Sequence, residues 1–263
     1  MANRKWRRKI AAIEGGEYIE PMLDAPPAGI WRQGLRALSA LANRLPSQCA
    51  VCHSWPTRRV CDACRTRFAP QLARCTTCAC TVPDGVAQCG QCLRQPPPLD
   101  ACLAAVNYAY PWAHLLAQFK FQGDPGWAAA LAGLMHQMPG APTALAQADL
   151  VLPVPLAPAR LRQRGYNQAL LLARQLGSTR VQAQLLLRTR DAEAQSHLTR
   201  AERLHNLRGA FALDPLQAPQ VMGRHVLLVD DVMTTGATLH AAAAPLREAG
   251  AKRITAMVLA RTT

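Results

Sequence analysis

Residues 226–238 read VLLVDDVMTTGAT, and this stretch decides the fold. It begins with a short apolar run bounded by valines, which predicts a buried strand rather than a helix. Asp230 and Asp231 follow at the carboxyl end of that strand, where an open α/β sheet places its ligand crevice. Threonines around one glycine come next, and then a helix pattern over residues 237–249. This order predicts a phosphate site; a strand that merely ends in two aspartates is the alternative.

The loop after the strand has the residue types that suit a phosphate group. Thr234, Thr235 and Thr238 supply hydroxyl donors, and Gly236 has no Cβ to block a close approach. Backbone N–H groups in such a loop can surround a phosphate, and the helix N-terminus adds positive potential. The two aspartates can bind a sugar diol directly or through Mg²⁺, which prefers hard oxygen ligands.

The stretch resembles the phosphoribosyl-pyrophosphate (PRPP) binding motif of the type I phosphoribosyltransferases: an apolar strand, two acidic residues and a Thr-Thr-Gly-x-Thr loop. The resemblance implies an α/β fold with a mainly parallel twisted sheet and helices on both faces. It also implies that PRPP binds together with Mg²⁺ and that Asp230 and Asp231 hold the ribose hydroxyls. The residues that would hold the 5′-phosphate are Thr234, Thr235, Gly236, Ala237 and Thr238. The motif specifies the ligand and not the reaction.

Length and charge narrow the class of protein less than the motif does. The chain has 263 residues, 50% of them hydrophobic, enough for one good core and a small appendage. Its net charge of +14 indicates acidic partners such as nucleic acid or phosphates, or an anionic membrane surface. An arginine-rich composition inherited from a GC-rich genome would give the same charge. No apolar run approaches the roughly 20 residues of a membrane span.

The ten cysteines indicate metal sites. Eight fall into four Cys-x-x-Cys pairs, and each pair can offer two thiolates to a tetrahedral Zn²⁺. The basic residues 4–9 are not followed by the apolar core of a signal peptide, so the sequence predicts a cytoplasmic protein with zinc sites rather than disulfides. Neighbouring pairs most simply form two sites, although the spacing also allows a cross-braced pairing. The predicted ligands are Cys49, Cys52, Cys61 and Cys64 at one site and Cys75, Cys78, Cys89 and Cys92 at the other.

The composition divides the chain into three parts. Residues 1–27 are predicted to be a flexible basic arm. Residues 28–98 combine an apolar helix face with the cysteine module, which ends at a run of three prolines. Residues 99–263 form the phosphoribosyltransferase-like domain. The two cysteines outside the pairs, Cys80 and Cys102, are predicted to be free buried thiols.

Periodicity predicts the remaining elements of the third part. Helices are expected around residues 112–119, 127–138 and 170–176, and residues 189–209 are expected to be a mobile loop. Strands are predicted at residues 106–110, 150–154, 181–187, 211–213 and 254–260.

Basic residues and histidines among these elements have two interpretations each. Arg160 and Arg164 follow a predicted strand, and beside a phosphate site an anion clamp is preferred over a solvated helix face. His114 and His136 are interpreted as ordinary surface or core histidines rather than ligands.

Taken together, the chain is similar to the ComF family, and more closely to its GntX-like branch, over roughly residues 30–263. These competence-associated proteins join cysteine knuckles to a phosphoribosyltransferase domain. The family often has threonine where this chain has Ala192, which weakens any catalytic role for the loop. The matching pieces besides the knuckles and the PRPP motif are LAQFKFQGD at 116–124, VPL at 154–156, RGYNQ at 164–168, Gln195 with Arg203 and Asn206, and GAF at 209–211.

The resemblance implies a PRPP-binding protein that handles single-stranded DNA during uptake, with Pro155 and Leu156 at the PRPP site and a DNA-uptake helicase as partner. Stacking of DNA bases is assigned to Trp55, Phe68 or Tyr166. A zinc-knuckle transcription factor is disfavoured, because no knuckle is followed by a basic recognition helix.

The alternative function is an active phosphoribosyltransferase that moves the phosphoribosyl group to a nitrogen nucleophile. Its catalytic residues would be Asp230 and Asp231 at the ribose, and Arg160 and Arg164 at the departing pyrophosphate. No residue in the sequence identifies the acceptor base.

Overall fold

A computed structural model describes residues 46–189 and 209–262 of the chain. The predicted basic arm, the helix face before Pro46 and most of the predicted mobile loop, with Ala192, Gln195, Arg203 and Asn206, lie outside the described residues. The described strands are β1 (Ala101–Asn107), β2 (Leu150–Pro153), β3 (Leu186–Arg188), β4 (Phe211–Leu213), β5 (His225–Met233) and β6 (Arg253–Arg261). The described α-helices are α1 (Asp62–Phe68), α2 (Gly90–Arg94), α3 (Trp112–Phe121), α4 (Trp127–Gln137), α5 (Ala141–Gln147), α6 (Pro158–Arg164), α7 (Gln168–Gln175) and α8 (Ala237–Glu248).

Four of the strands form a parallel sheet in the order β1-β6-β5-β2. β5 pairs with β6 on one side and with β2 on the other, so the strand of the predicted phosphate motif lies in the interior of the sheet. β3 and β4 form a separate antiparallel pair. The expected mainly parallel sheet is confirmed.

The residues of β5 alternate between the two faces of the sheet. Val226 and Leu228 pack in a core with α8, the β3–β4 pair and the second group of cysteines. Leu227 and Val229 pack in a core on the opposite side, with α3, α4, α7 and the first group of cysteines. Because a strand turns successive side chains to opposite faces, a continuous apolar run is needed when helices cover both. The expectation of helices on both faces is therefore confirmed.

The helices predicted within the described residues are confirmed, whereas two predicted strands have the wrong bounds because the neighbouring strand determines where pairing begins and ends. The predicted strand 106–110 is wrong: β1 ends at Asn107, because it is residues 101–107 that lie alongside β6. The predicted strand 181–187 is also wrong, since Val181 makes only an isolated bridge to Val151 and β3 begins at Leu186. The predicted helices correspond to α3, α4, α7 and α8, and the β5–α8–β6 crossover is parallel as expected.

Short helices were missed from the sequence. α1, α2, α5 and α6 have seven residues or fewer, too short for apolar periodicity to identify. α1 and α2 each begin directly after a cysteine whose sulfur accepts a backbone N–H bond from the first turn. No helix in the described ranges is long and apolar enough to cross a lipid bilayer.

Candidate functional site

A cavity of about 280 Å³ opens at the carboxyl ends of β2 and β5. Its volume is at the lower end of small-molecule sites, which span about 300–1,000 Å³. Eight of the residues predicted to bind or act on PRPP line it: Pro155, Leu156, Arg160, Arg164, Asp230, Asp231, Thr234 and Thr238. Residues distant in sequence are thus brought together as predicted. The lining also includes Tyr108, Lys120, Asn167, Gln168 and Arg188.

The two aspartates lie inside β5 and not after it, which corrects the predicted strand end. Asp230 pairs with Val258 of β6, and the ladder continues to Met233 because β6 runs on beside it. Successive strand residues project to opposite faces, so the two carboxylates leave the strand on different sides. The Asp231 N–H donates to Asp230 Oδ1 at 2.8 Å.

Asp231 forms an ion pair with Lys120, a residue of α3. Lys120 Nζ lies 3.0 Å from Asp231 Oδ2, and the two side chains are only 18% and 12% exposed. A partly buried pair is held more strongly than a surface pair, because less solvent screens it. Lys120 therefore fixes the orientation of Asp231 and places a cation at the cavity.

The pKa of the Asp230 carboxyl is raised by its surroundings. Burial raises its pKa to about 7, and repulsion from the neighbouring Asp231 acts in the same direction. Both effects disfavour the charged form, whereas the positive charges of Lys120 and Arg188 lower the pKa. A carboxyl in this state gains from a cation or from a hydroxyl donor brought by a ligand.

Arginines and an amide also line the cavity. Arg164 Nη1 donates to Gln168 Oε1 at 3.2 Å, and its guanidinium lies 5.0 Å from the centre of the Phe121 ring. Within the described ranges the Nε atom of Arg164 and the Nε2 atom of Gln168 are buried without a hydrogen-bond partner. Gln168 is itself buried. Buried donors that lack partners are costly, so a ligand with acceptor oxygens would stabilise this part of the lining.

The phosphate loop makes a tight turn between β5 and α8. Gly236 has a φ of +82°, and a Cβ placed there would lie 2.6 Å from Met233 Cε and 2.8 Å from His240 Nε2. The positive φ favours glycine, and any larger residue would also force the ends of the Met233 and His240 side chains to move. The Thr235 hydroxyl accepts the Ala237 N–H at 3.3 Å and so supports the turn. Thr234 and Thr238 line the cavity, whereas Thr235, Gly236 and Ala237 do not.

The eight paired cysteines form two separate groups. In each group the four sulfur atoms all lie within 4.8 Å of one another: Cys49, Cys52, Cys61 and Cys64 in the first group, Cys75, Cys78, Cys89 and Cys92 in the second. The spacing left cross-bracing open, and the geometry decides for neighbouring pairs. Cys102 is a buried free thiol as predicted, whereas Cys80 is only half-buried.

The geometry of both groups suits zinc. Zn–S bonds of about 2.3 Å in a tetrahedron place sulfur atoms roughly 3.8 Å apart. The Cys52–Cys61 and Cys78–Cys89 sulfur distances are 3.6 and 3.7 Å. The N–H groups of Cys61 and Cys89 donate to the first sulfur of their own group, at 3.4 and 3.3 Å. The two groups are structural repeats, and each could hold one zinc ion.

We expect two zinc ions per chain in protein purified under reducing conditions. Cys61→Ser should lower the stoichiometry to one, because it removes a ligand from the first group alone. Elemental analysis beside thiol titration measures both values. A zinc content near zero in a preparation whose thiols are intact would contradict the assignment.

Of the three aromatic side chains predicted to stack on bases, one is well exposed, and other exposed aromatic side chains lie at or beside the cavity. Of the three predicted, Trp55 is exposed, but Tyr166 packs against Phe119 with ring centres 5.8 Å apart, and Phe68 is half-buried. Tyr108 is 42% exposed and lines the cavity. Phe121 is also exposed and lies beside Arg164.

Several site residues were missed from the sequence. Three of them, Lys120, Asn167 and Gln168, lie in the segments that carry the family resemblance. The sequence pattern that could have identified Lys120 is a single lysine on an otherwise apolar helix face. Tyr108 and Arg188 had no sequence signal. His114 and His136 are exposed, as their interpretation expected.

A larger cavity of about 610 Å³ lies along β1, the edge strand of the sheet. Its lining is mostly apolar, with Arg65, Arg74 and Arg253 at its margins, and it contains none of the residues predicted to bind PRPP. The Asp230–Asp231 pair and the phosphate loop meet in the smaller cavity, which is the better candidate for a ligand site.

Comparisons with known proteins identify a domain family and relatives of this chain. Residues 161–262 match the family model described as phosphoribosyl transferase domain. DNA utilization protein YhgH from Salmonella typhimurium is 33% identical over 210 residues, covering 77% of this chain and 90% of the relative. Competence protein F from Haemophilus influenzae is 32% identical over 208 residues, with the same coverages. Competence protein ComFC from Streptococcus pneumoniae is 35% identical over 108 residues, covering 41% of this chain and 46% of the relative.

Proposed function

Because this chain belongs to the family of DNA utilization protein YhgH and competence protein F, the ComF family, we propose that it binds a ribose phosphate and handles single-stranded DNA during uptake. The ligand site is the cavity at the phosphoribosyltransferase domain. The observation that carries the proposal is the meeting of two carboxylates, three arginines, a lysine and the phosphate loop around one small cavity.

The charges of the cavity match the parts of a phosphorylated sugar. The hydroxyls of Thr234 and Thr238, next to the N-terminus of α8, supply donors for the 5′-phosphate. Asp230 and Asp231 lie where ribose hydroxyls can donate to carboxylate oxygens. Arg160 and Arg164 in the same lining suit the pyrophosphate of PRPP.

Mg²⁺ is proposed to accompany PRPP at the same carboxylates. Their oxygen atoms are the donors that this cation prefers, and the raised pKa of Asp230 means that a positive charge beside it would be favourable. The ion would neutralise the pyrophosphate charge when PRPP is bound. Asp231 already faces the Lys120 ammonium, so Asp230 is the carboxyl with the greater need of a cation.

For DNA, the cavity is proposed to receive a 5′-terminal nucleotide. A volume of about 280 Å³ suits a sugar phosphate and is too small for a strand to pass through. The half-exposed Tyr108 ring at the same cavity offers a face for the terminal base, and base–aromatic stacking contributes about 1–3 kcal/mol. The remaining strand would lie on the basic surface implied by the net charge of +14.

We expect a 5′-phosphorylated single-stranded oligonucleotide to bind at least about tenfold more tightly than the same oligonucleotide without the phosphate, because one charge-assisted hydrogen bond to the phosphate is already worth about 1.5–3 kcal/mol. Tyr108→Ala should weaken binding about five- to tenfold, and Tyr108→Phe should preserve it. Fluorescence anisotropy with a 3′-labelled oligonucleotide measures both. Raising salt from 50 to 200 mM should cost about ten- to a hundredfold in affinity.

Tyr110 supplies the matched control, since it is exposed on the same segment but does not line the cavity. If Tyr110→Ala and Tyr108→Ala weaken binding equally, the stacking role at the cavity is wrong. An affinity that ignores both salt and the 5′-phosphate would remove the DNA part of the proposal.

Catalytic transfer is the second candidate, favoured by the arginines that line the same cavity as the aspartates. In that case PRPP would lose pyrophosphate as a nitrogen nucleophile reached the ribose, and Asp230 and Asp231 would stabilise the positive charge that develops there. Pyrophosphate release from PRPP in the presence of a panel of bases distinguishes a transferase from a binding protein.

A cytoplasmic location and a helicase partner complete the proposal. Two groups of four thiols retain zinc in a reducing compartment and would oxidise in a secreted protein. The competence proteins among the relatives support a partner that moves DNA, for which a DNA-uptake helicase is the proposed class.

A further inference from the structure

One arginine joins the second cysteine group to the phosphate loop. Arg261, near the end of β6, donates from Nε to the Cys78 carbonyl oxygen at 2.9 Å. Its Nη1 donates to the carbonyl oxygens of Thr234, at 2.5 Å, and of Met233, at 3.3 Å. A planar guanidinium can hold two backbone segments at once, which a lysine ammonium on its flexible stem cannot do with the same geometry.

A second contact follows the same route. The Cys102 N–H of β1 donates to the Thr76 carbonyl oxygen inside the second knuckle at 2.8 Å. Cys102 Sγ lies 3.6 Å from Met233 Sδ, and the Met233 methyl group occupies the space that a Cβ on Gly236 would need. A chain of direct contacts thus leads from the second cysteine group through Cys102 and Met233 to Gly236.

The charges around the second group agree with this arrangement. Four thiolates around Zn²⁺ leave a net charge of about −2, which favours nearby cations that also donate hydrogen bonds. Arg74 Nη1 donates to the Ala79 carbonyl oxygen at 3.0 Å, on the same knuckle that Arg261 contacts through Cys78. Metal binding at this group would therefore fix the positions of the Cys78 and Ala79 carbonyl groups, to which Arg261 and Arg74 donate.

The first cysteine group has different neighbours. Trp112 Nε1 of α3 donates to the Phe68 carbonyl oxygen at 2.6 Å, and Arg59 pairs with Asp124 at 2.7 Å. In the described part of the chain no hydrogen bond joins this group to residues 234–238. The two repeats therefore differ in what they support.

We propose that Arg261 is a positioning residue that couples metal binding at Cys75, Cys78, Cys89 and Cys92 to the conformation of the phosphate loop. With the second group loaded, the Cys78 carbonyl is fixed, and Arg261 holds the Thr234 carbonyl in the register that turns the loop toward the cavity. The link to ligand affinity rests on the proposed function, since it requires that the loop binds a phosphate. Coupling is reciprocal in binding free energy, so a bound ribose phosphate also raises the affinity of this group for zinc.

The test compares variants of the full chain in two measurements. Amide hydrogen exchange of residues 234–238 reports the loop without any ligand, and calorimetric titration with ribose 5-phosphate reports binding. Arg261→Ala should raise loop exchange and weaken binding about tenfold, because charge-assisted hydrogen bonds are lost. Arg261→Lys should behave like Arg261→Ala, because lysine keeps the positive charge but lacks the planar guanidinium whose N–H groups donate in fixed directions.

Arg180→Ala is the matched control, because Arg180 also donates to two backbone carbonyls, those of Ala146 and Ala148, but away from the loop. It should change neither measurement. Cys89→Ser should raise loop exchange and weaken binding about tenfold more than Cys61→Ser does, with zinc content measured in both.

Three results would overturn the coupling: unchanged loop exchange in Arg261→Ala, full rescue by Arg261→Lys, or equal effects of Cys89→Ser and Cys61→Ser. Full rescue by lysine would mean that Arg261 contributes charge rather than position. If the parent protein binds no ribose phosphate, the proposed function fails for this ligand, and loop exchange alone then decides whether the coupling exists.

Discussion

Replacing Asp230 and Asp231 together with asparagine is expected to weaken PRPP binding in the presence of Mg²⁺ by about 100-fold or more, since hydrogen bonds to charged groups are worth about 1.5–3 kcal/mol each. The changes keep the shape of both side chains and remove the negative charge that a cation or a ribose diol would meet. Isothermal titration with PRPP and Mg²⁺ measures the loss. If the double variant binds PRPP as tightly as the parent, residues 226–238 are only a structural strand and turn.

The single variants separate binding from folding. Asp230→Asn should leave stability nearly unchanged, because burial already raises the pKa of this carboxyl toward neutrality. Asp231→Asn leaves the partly buried Lys120 without its 3.0 Å partner and should cost about 1–3 kcal/mol of unfolding free energy. Adding Lys120→Met to Asp231→Asn should recover part of that loss, which thermal melting would show.

DNA binding by the variant with both Asp230 and Asp231 replaced shows whether PRPP and DNA bind at the same surface. Loss of PRPP binding with retained DNA binding would place the two functions on separate surfaces. Loss of both would mean that the nucleic acid enters the cavity and that its 5′-phosphate lies at residues 234–238.

Gly236→Val is expected to weaken PRPP binding about thirtyfold or more, which corresponds to about 2 kcal/mol. A residue other than glycine in the left-handed region costs about 1–2 kcal/mol, and Gly236 has a φ of +82°. The added Cβ would also lie 2.6 Å from Met233 Cε, so the loop or Met233 must move. Titration with PRPP and thermal melting together report the effect.

Gly177→Val is the control for backbone strain alone. Gly177 has a similar φ of +77°, but no atom lies within 4 Å of a Cβ built there, and it does not line the ligand cavity. It should lower the melting temperature and leave PRPP affinity unchanged. Equal loss of PRPP affinity in the two variants would show that general destabilisation, and not the shape of the phosphate loop, is responsible.

Much of the site could be predicted because its signals are local in sequence. The strand, the acidic pair, the glycine turn and the helix of residues 226–249 are one continuous pattern, and the cysteine pairs carry their own spacing. The role of Gly236 followed from backbone chemistry alone. Arg160 and Arg164 line the same cavity as Thr234 and Thr238 because both arginines follow a strand at the same edge of the sheet.

The remaining features depend on contacts between distant segments. Lys120 pairs with Asp231 across 111 positions, and no periodicity in α3 indicates that partner. The position of the carboxylates inside β5 follows from the extent of β6, which continues the ladder to Arg261. β1 likewise takes its bounds from its neighbour, since strand propensity is weak and pairing decides.

The strand order has a consequence for how the protein is made. The outer strands β1 and β2 leave the ribosome before the inner strands β5 and β6, yet in the sheet they are never neighbours. Apart from the isolated bridge between Val151 and Val181, neither has its neighbouring strand until translation has passed residue 225. Apolar strands therefore remain without their partners in the sheet, which slows folding and exposes a nascent chain to aggregation. Each cysteine group, by contrast, closes within one short segment of chain and can take up its metal while synthesis continues. Within the described residues, the cysteine groups are then the first parts that can become ordered by taking up metal, and the ligand cavity is completed only when β5 and the start of α8 emerge.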